Sequence, residues 1–285
     1  MKRLFLLLAT FGLLATACES NQAGDQNGDG SIGEKKLVKM VEEGNGSESY
    51  SYNFSYDNQG KLMLCTAKFA REGKTYIDGI YLYEWSANAI SCEYEDEYTA
   101  EAYGVPYIVK TMITYTYTLN NNGLVQMCDE LNTTSHYASS GQNQSQRQYI
   151  YVYDVLGRPI EEKSSDKSFT SCRYFSWSGD KLSFGDYGGK YDTFTYEGHV
   201  CRKGYNPRIA ACVVADSPLA VAHPELFGVR TMQLPATITS VYSTTEDTVT
   251  NVTEYSYEMD NDGYITKITG TGEDGYSYSY TLTWE

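Results

Sequence analysis

The chain has 285 residues, a formal net charge of −15, 28 Tyr and only 6 Pro. That excess of acid excludes partners that are held by a basic patch neutralising phosphate, so nucleic acid and an anionic membrane face are set aside. Abundant Tyr, Thr and Ser with few Pro is strand-rich usage and points to a single all-β domain.

At the N-terminus Lys2 and Arg3 precede an apolar run from Leu4 to Leu14. A bilayer-spanning helix needs about 20 apolar residues, so this shorter run reads as a signal peptide over residues 1–17. Ala15, Thr16 and Ala17 lead into Cys18. Small residues before a cysteine resemble the lipobox of bacterial lipoproteins, which implies acylation of Cys18 as the new N-terminus. Leu14 stands four residues before Cys18 instead of three, with Ala15 in the usual leucine place. Cleavage removes Lys2 and Arg3 and takes the net charge from −15 to −17.

Residues 18–33 are polar and carry no large apolar side chain before Ile32, so they form a lipidated, flexible tether. Glu19 beside Cys18 resembles the acidic stretch that accompanies surface export in some bacterial lipoproteins, though only this one acid is adjacent, and implies an outer-membrane lipoprotein displayed at the cell surface. Asp25, Asn27 and Asp29, followed by Gly30, match the front half of a calcium loop. Position twelve, which completes such a loop with a bidentate carboxylate, is Lys36, so the segment is read as a spacer and no metal or cofactor is assigned.

From residue 34 onward the pattern is strand after strand. Strands are predicted at 36–42, 49–56, 61–70, 74–85, 89–98, 108–119, 123–131, 147–153, 159–163, 168–177, 181–184, 191–196, 236–243, 250–258, 264–269 and 277–284. Most are joined by short polar turns such as 120–123 and 178–180, which makes sequence neighbours antiparallel and the whole a meander. A degenerate repeat recurs along it: an aromatic pair, an Asp/Asn/Gly turn and an apolar restart. The copies are Phe54-Ser55-Tyr56-Asp57-Asn58-Gln59-Gly60-Lys61-Leu62, Tyr151 to Ile160, and Tyr255 to Ile265. Each is a β-hairpin in miniature, with glycine supplying left-handed backbone.

The one interruption is 206–235, where Ser217-Pro218 and His223-Pro224 start one-turn helices and Gly228 stops one; this is a short helical cap over an end or face of the sheet. Cys65, Cys92, Cys128, Cys172, Cys201 and Cys212 form no metal or redox spacing, and several lie within strands, which favours buried thiols over disulfides. His136, His199 and His223 show no ligand spacing, and no nucleophile elbow or phosphate loop occurs. Glu161-Glu162 and Asp260/Asp262 are expected on solvated turns and edges. Asp247-Thr248-Val249 resembles an O-glycosylation acceptor, which marks Thr248.

Tyr276, Tyr278, Tyr280, Leu282 and Trp284 alternate against Ser and Thr as in a transmembrane strand, but tyrosines run along whole strands instead of collecting at the rims, so a half-buried soluble sheet is expected. The turns resemble tyrosine-aspartate repeats. Together with His223-Pro224-Glu225-Leu226-Phe227-Gly228 and Leu234-Pro235, the chain from residue 34 resembles a family of gut-bacterial lipoproteins of unknown function with a porin-like β-fold. The resemblance implies a strongly curved or barrel-like antiparallel sheet and nothing about catalysis, since that family has no assigned activity. The expected function is a monomeric, non-enzymatic binding or interaction module for a glycan or protein ligand. One alternative is glycan binding by aromatic residues on a concave sheet; a glycan-active hydrolase is less favoured, since no carboxylate pair supports it.

Overall fold

The computed structural model describes residues 35–44, 48–102, 105–136, 142–167, 169–179, 181–186, 190–196, 217–229, 234–243 and 247–285. The chain divides into units 1–34 and 35–285, and the first lies outside the described residues.

All sixteen expected strands are present: β1 Leu37–Glu43, β2 Glu48–Tyr56, β3 Leu62–Arg71, β4 Lys74–Trp85, β5 Ala89–Ala102, β6 Val105–Leu119, β7 Val125–His136, β8 Gln142–Tyr153, β9 Pro159–Ser165, β10 Thr170–Ser178, β11 Lys181–Asp186, β12 Lys190–Thr195, β13 Thr237–Ser243, β14 Thr248–Met259, β15 Ile265–Gly272 and β16 Ser277–Trp284. Each pairs antiparallel with its sequence neighbours, and β1 pairs with β16, so the meander closes into a sixteen-stranded barrel. Closure leaves no free edge on which another strand can pair.

The repeat in the sequence has a specific structural content. Asp57, Asn120, Asp154 and Asp260 each open the same turn. In the first, Gly60 N–H donates to the Asp57 carbonyl, and Asp57 Oδ1 accepts from the Gln59 and Lys61 amides at 2.8 and 2.9 Å. Gly60, Gly123, Gly157 and Gly263 hold φ between 76° and 85° in these turns, the left-handed region that glycine enters without cost. The turn then feeds a β-bulge in β3, β7, β9 and β15, where the register skips one residue just inside the strand, and β1 and β11 begin with the same skip.

A bulge aims one carbonyl out of the ladder, and that carbonyl needs a donor. Here it receives one from an aromatic side chain at or just past the end of the adjoining even strand. Tyr56 donates to Leu37, Trp85 to Leu62, Tyr153 to Val125, Trp177 to Pro159, Tyr196 to Leu182 and Trp284 to Ile265, over 2.5–2.8 Å. The two exceptions obey the same logic: β5 and β13 enter without a register skip, and β6 and β14 end in Leu119 and Met259, which have nothing to donate. Trp177→Phe keeps the ring and removes the Nε1 donor, and is expected to lower stability by about 1–2 kcal/mol in urea unfolding.

Alternation turns one face of every strand inward, and the buried residues form one core inside the barrel. The expected cap is present in its described part, 217–229 and 234–235. Helix α1, Pro218–Ala222, is followed by a 3-10 turn, Pro224–Phe227. Leu219, Ala220 and Phe227 are fully buried in the same core as the strand interiors. The Phe227 ring meets Tyr117 and Tyr151 edge-on, and Ser217 bonds the Tyr117 hydroxyl at 3.1 Å. The cap thus packs into the core as a plug, at the end of the barrel where the Asp/Asn turns lie.

Candidate functional site

The inward face is structural. Even strands supply most of its tyrosines and odd strands supply Leu, Ile, Met or Cys beside them, with rings such as Tyr81 and Tyr94 packed 4.4 Å apart. Cys65, Cys92 and Cys128 are free and buried there; burial pushes the Cys92 thiol up to about 12, which removes its nucleophilic character. Cys172 is free and half-buried on β10, while Cys201 and Cys212 lie outside the described residues.

One expectation is corrected. Glu162 is not solvated: it points inward, is 2% exposed, and is gripped by Arg173 through two bonds of 2.9 and 2.5 Å. The bulge at Ile160 is the cause, because it reverses the alternation of Pro159-Ile160-Glu161-Glu162 and delivers Glu162 to the core side. Asp260 and Asp262 do lie in a turn, bonded to Lys35.

The remaining sequence candidates do not converge. Cys18, Asp25, Asn27, Asp29 and His199 lie outside the described residues. His136 ends β7, and Thr248 is exposed at the start of β14 opposite Ser243. His223 sits in the plug, its ring edge-on to Tyr56 and Trp85 and its Nδ1 2.7 Å from Glu225 Oε1. Among the described residues no three His, Cys, Asp or Glu side chains gather as metal ligands.

Among the described residues, open concave features lie on the outer wall. A groove of about 480 Å³ crosses β4, β5 and β6, lined by Asp78, Ile80, Leu82, Glu93, Glu95, Glu97 and Met112. It adjoins, at Thr114, a second hollow of about 520 Å³ lined by Thr116, Asp129, Leu131, Gln146, Gln148 and Ser165 of β6 to β9. Pairing places these side chains in rows: Ile80, Glu95 and Met112 form one, and Leu82, Glu93 and Thr114 the next. Ile80, Leu82 and Met112 are 45%, 51% and 51% exposed, so the first hollow has an apolar floor in an acidic frame. In the second, Gln148 Nε2 donates to Asp129 Oδ1 at 2.8 Å, and the lining mixes amide, hydroxyl and carboxylate groups with Leu131, Arg147 and Lys167. Sequence reasoning missed this surface. Its signal was present in β4, where Ile80 and Leu82 alternate with Gly79, Tyr81 and Tyr83, making the strand apolar on both faces.

Among solved structures, a porin-like protein from Bacteroides uniformis matches 87% of this chain and 98% of its own, with TM-score 0.52 and 15% identity. The fold is porin-like. A porin-like protein from Bacteroides vulgatus matches 88% of this chain and 99% of its own, with TM-score 0.39 and 13% identity. No protein-family model and no curated protein matches the chain.

The outer wall differs from a lipid-facing surface. Ion pairs decorate it midway along the strands: Lys68 with Asp78 at 3.3 Å, Lys163 with Glu161 at 3.2 Å, and Lys110 with Glu95. Ser51, Asn53, Thr114, Gln146 and Gln148 occupy outward positions between them. A Lys or Arg facing lipid at the midplane costs about 2–4 kcal/mol, and among the described residues these ion pairs interrupt any apolar band on the wall. No described helix is long and apolar enough to cross a membrane.

Proposed function

We propose that this protein is a non-enzymatic binding module, held at the outer membrane by a lipid on Cys18, whose porin-like barrel stands outside the bilayer and offers the outer-wall groove as its binding surface. The observation that carries this reading is the groove itself: exposed Ile80, Leu82 and Met112 lie together in a hollow on a wall that also carries ion pairs. Large side chains left apolar and concave on a water-facing surface mark contact sites. The packed interior supports the same choice, since its tyrosines are engaged with one another and with the plug.

Two measurements test it. Cys18→Ser is expected to move the protein from the membrane fraction to the soluble fraction, whereas a spanning barrel stays in the membrane. In a ligand screen on the full-length protein read by thermal shift, Leu82→Ser with Met112→Ser is expected to abolish any shift that the unmodified protein gives. A hit unaffected by that pair places binding elsewhere.

A sugar ligand is supported by one feature, the amide and hydroxyl lining of the second hollow. No aromatic platform borders it: its lining residues include no Tyr, Trp or Phe. Stacking of sugar rings on tyrosines, the form in which glycan binding is expected from the sequence, therefore has no surface in that hollow.

A further inference from the structure

The partner that fits the groove is specified by how its charges are spaced. Glu93, Glu95 and Glu97 occupy alternate, outward positions of β5, so they form a stripe along one strand. A strand rises about 3.4 Å per residue, which spaces the Cα atoms of successive acids about 6.8 Å apart. Apolar side chains flank the stripe on both sides, Ile80 and Leu82 from β4 and Met112 from β6. Glu95 is held by Lys110, whereas the carboxylates of Glu93 and Glu97 hold no ion pair or hydrogen bond among the described residues.

Two classes of occupant are disfavoured by this geometry. A metal ion is disfavoured because, among the described residues, no three His, Cys, Asp or Glu side chains gather as its ligands. A strand added by backbone pairing needs a free edge, and the closed barrel has none. What remains is recognition through side chains of a cation that repeats at the spacing of the stripe.

Resting on the reading of the groove as the binding surface, we propose that it takes an extended, basic polypeptide segment with Lys or Arg at every second position. An extended chain has the same two-residue repeat as β5, so its wall-facing residues stay in step with Glu93, Glu95 and Glu97. Basic heads meet Glu93 and Glu97 and share Glu95 with Lys110, and their aliphatic stems lie on Ile80, Leu82 or Met112, as long cationic side chains do on apolar surface. Lys110 already makes this contact with Glu95 from within the chain.

The test is fluorescence anisotropy of the full-length protein with a labelled dodecapeptide alternating Arg and Thr, against its block isomer of identical composition. The alternating peptide is expected to bind at least about tenfold more tightly, a difference of about 1.4 kcal/mol. Glu93→Gln with Glu97→Gln, and separately Leu82→Ser with Met112→Ser, are each expected to remove about that factor, at unchanged melting temperature. Equal binding of the two isomers overturns the proposal, because it is then diffuse attraction of a polycation to a chain of net charge −15. Absence of binding by both also overturns it. If the peptides fail while the Leu82→Ser, Met112→Ser pair abolishes binding of a glycan or protein from the screen, the partner class is wrong and the groove stands; if that pair alters no ligand's binding, both readings fall.

Discussion

Arg173→Ala is expected to destabilise the barrel by about 3–5 kcal/mol at neutral pH, the cost of leaving Glu162 charged and buried without its counter-ion. Desolvation already holds the Glu162 carboxyl above its usual 4.5, against the opposing pull of Arg173. Removing the guanidinium deletes that pull and raises the carboxyl further. The folded variant then binds its proton more tightly than the unfolded chain. Its stability is fully present below about pH 4.5 and is lost as pH rises through the folded pKa. Urea unfolding of variant and parent across this range checks it: the gap between them should be small in acid and widen toward neutrality. Replacing both residues by Met is expected to recover most of the loss, since apolar side chains of similar volume need no partner. A gap below about 1 kcal/mol at neutral pH would mean that water reaches Glu162 despite its burial.

Phe227→Ala is expected to cost a similar amount, about 3–5 kcal/mol, and to act through the plug. The ring is fully buried, with centroids 6.2 Å from Tyr117 and 5.6 Å from Tyr151. Its removal leaves a cavity between the plug and two strands, which the barrel wall cannot collapse to fill because each strand is held on both sides. Thermal unfolding gives the size of the effect, and amide exchange gives its place: faster exchange confined to 217–229 would show that the plug undocks while the barrel survives. Gly228 next to it constrains the same contact. Its φ is 71°, and a Cβ there would be driven into the Gly157 carbonyl oxygen, so Gly228→Ala should mimic the loss without touching the ring.

The strands and turns were legible because their causes are local. Alternation of Tyr with Ser or Thr has the period of a strand whatever lies beside it, and Asp57, Asn120, Asp154 and Asp260 close their turns with their own side chains and a glycine three residues on. The core position of Glu162 was not legible. In Ile160-Glu161-Glu162-Lys163 nothing announces a bulge, and Arg173 becomes its partner only when β9 and β10 pair in this register. The groove was half legible: Ile80 and Leu82 signal an apolar outer face on β4, but the acidic stripe on β5 and Met112 on β6 join it through pairing.

The sequence by itself determined an all-β meander of sixteen strands, the chemistry of its hairpin turns, and the helical interruption near Pro218 and Pro224. Each of these depends on contacts within a few residues. Only the tertiary structure decided that the sheet closes, with Leu37 opposite Trp284, that the interruption becomes an internal plug, and that the aromatic ending an even strand satisfies a bulged carbonyl at the start of the strand before it. Closure depends on the twist and stagger accumulated over all sixteen strands, a sum that no local window of residues contains.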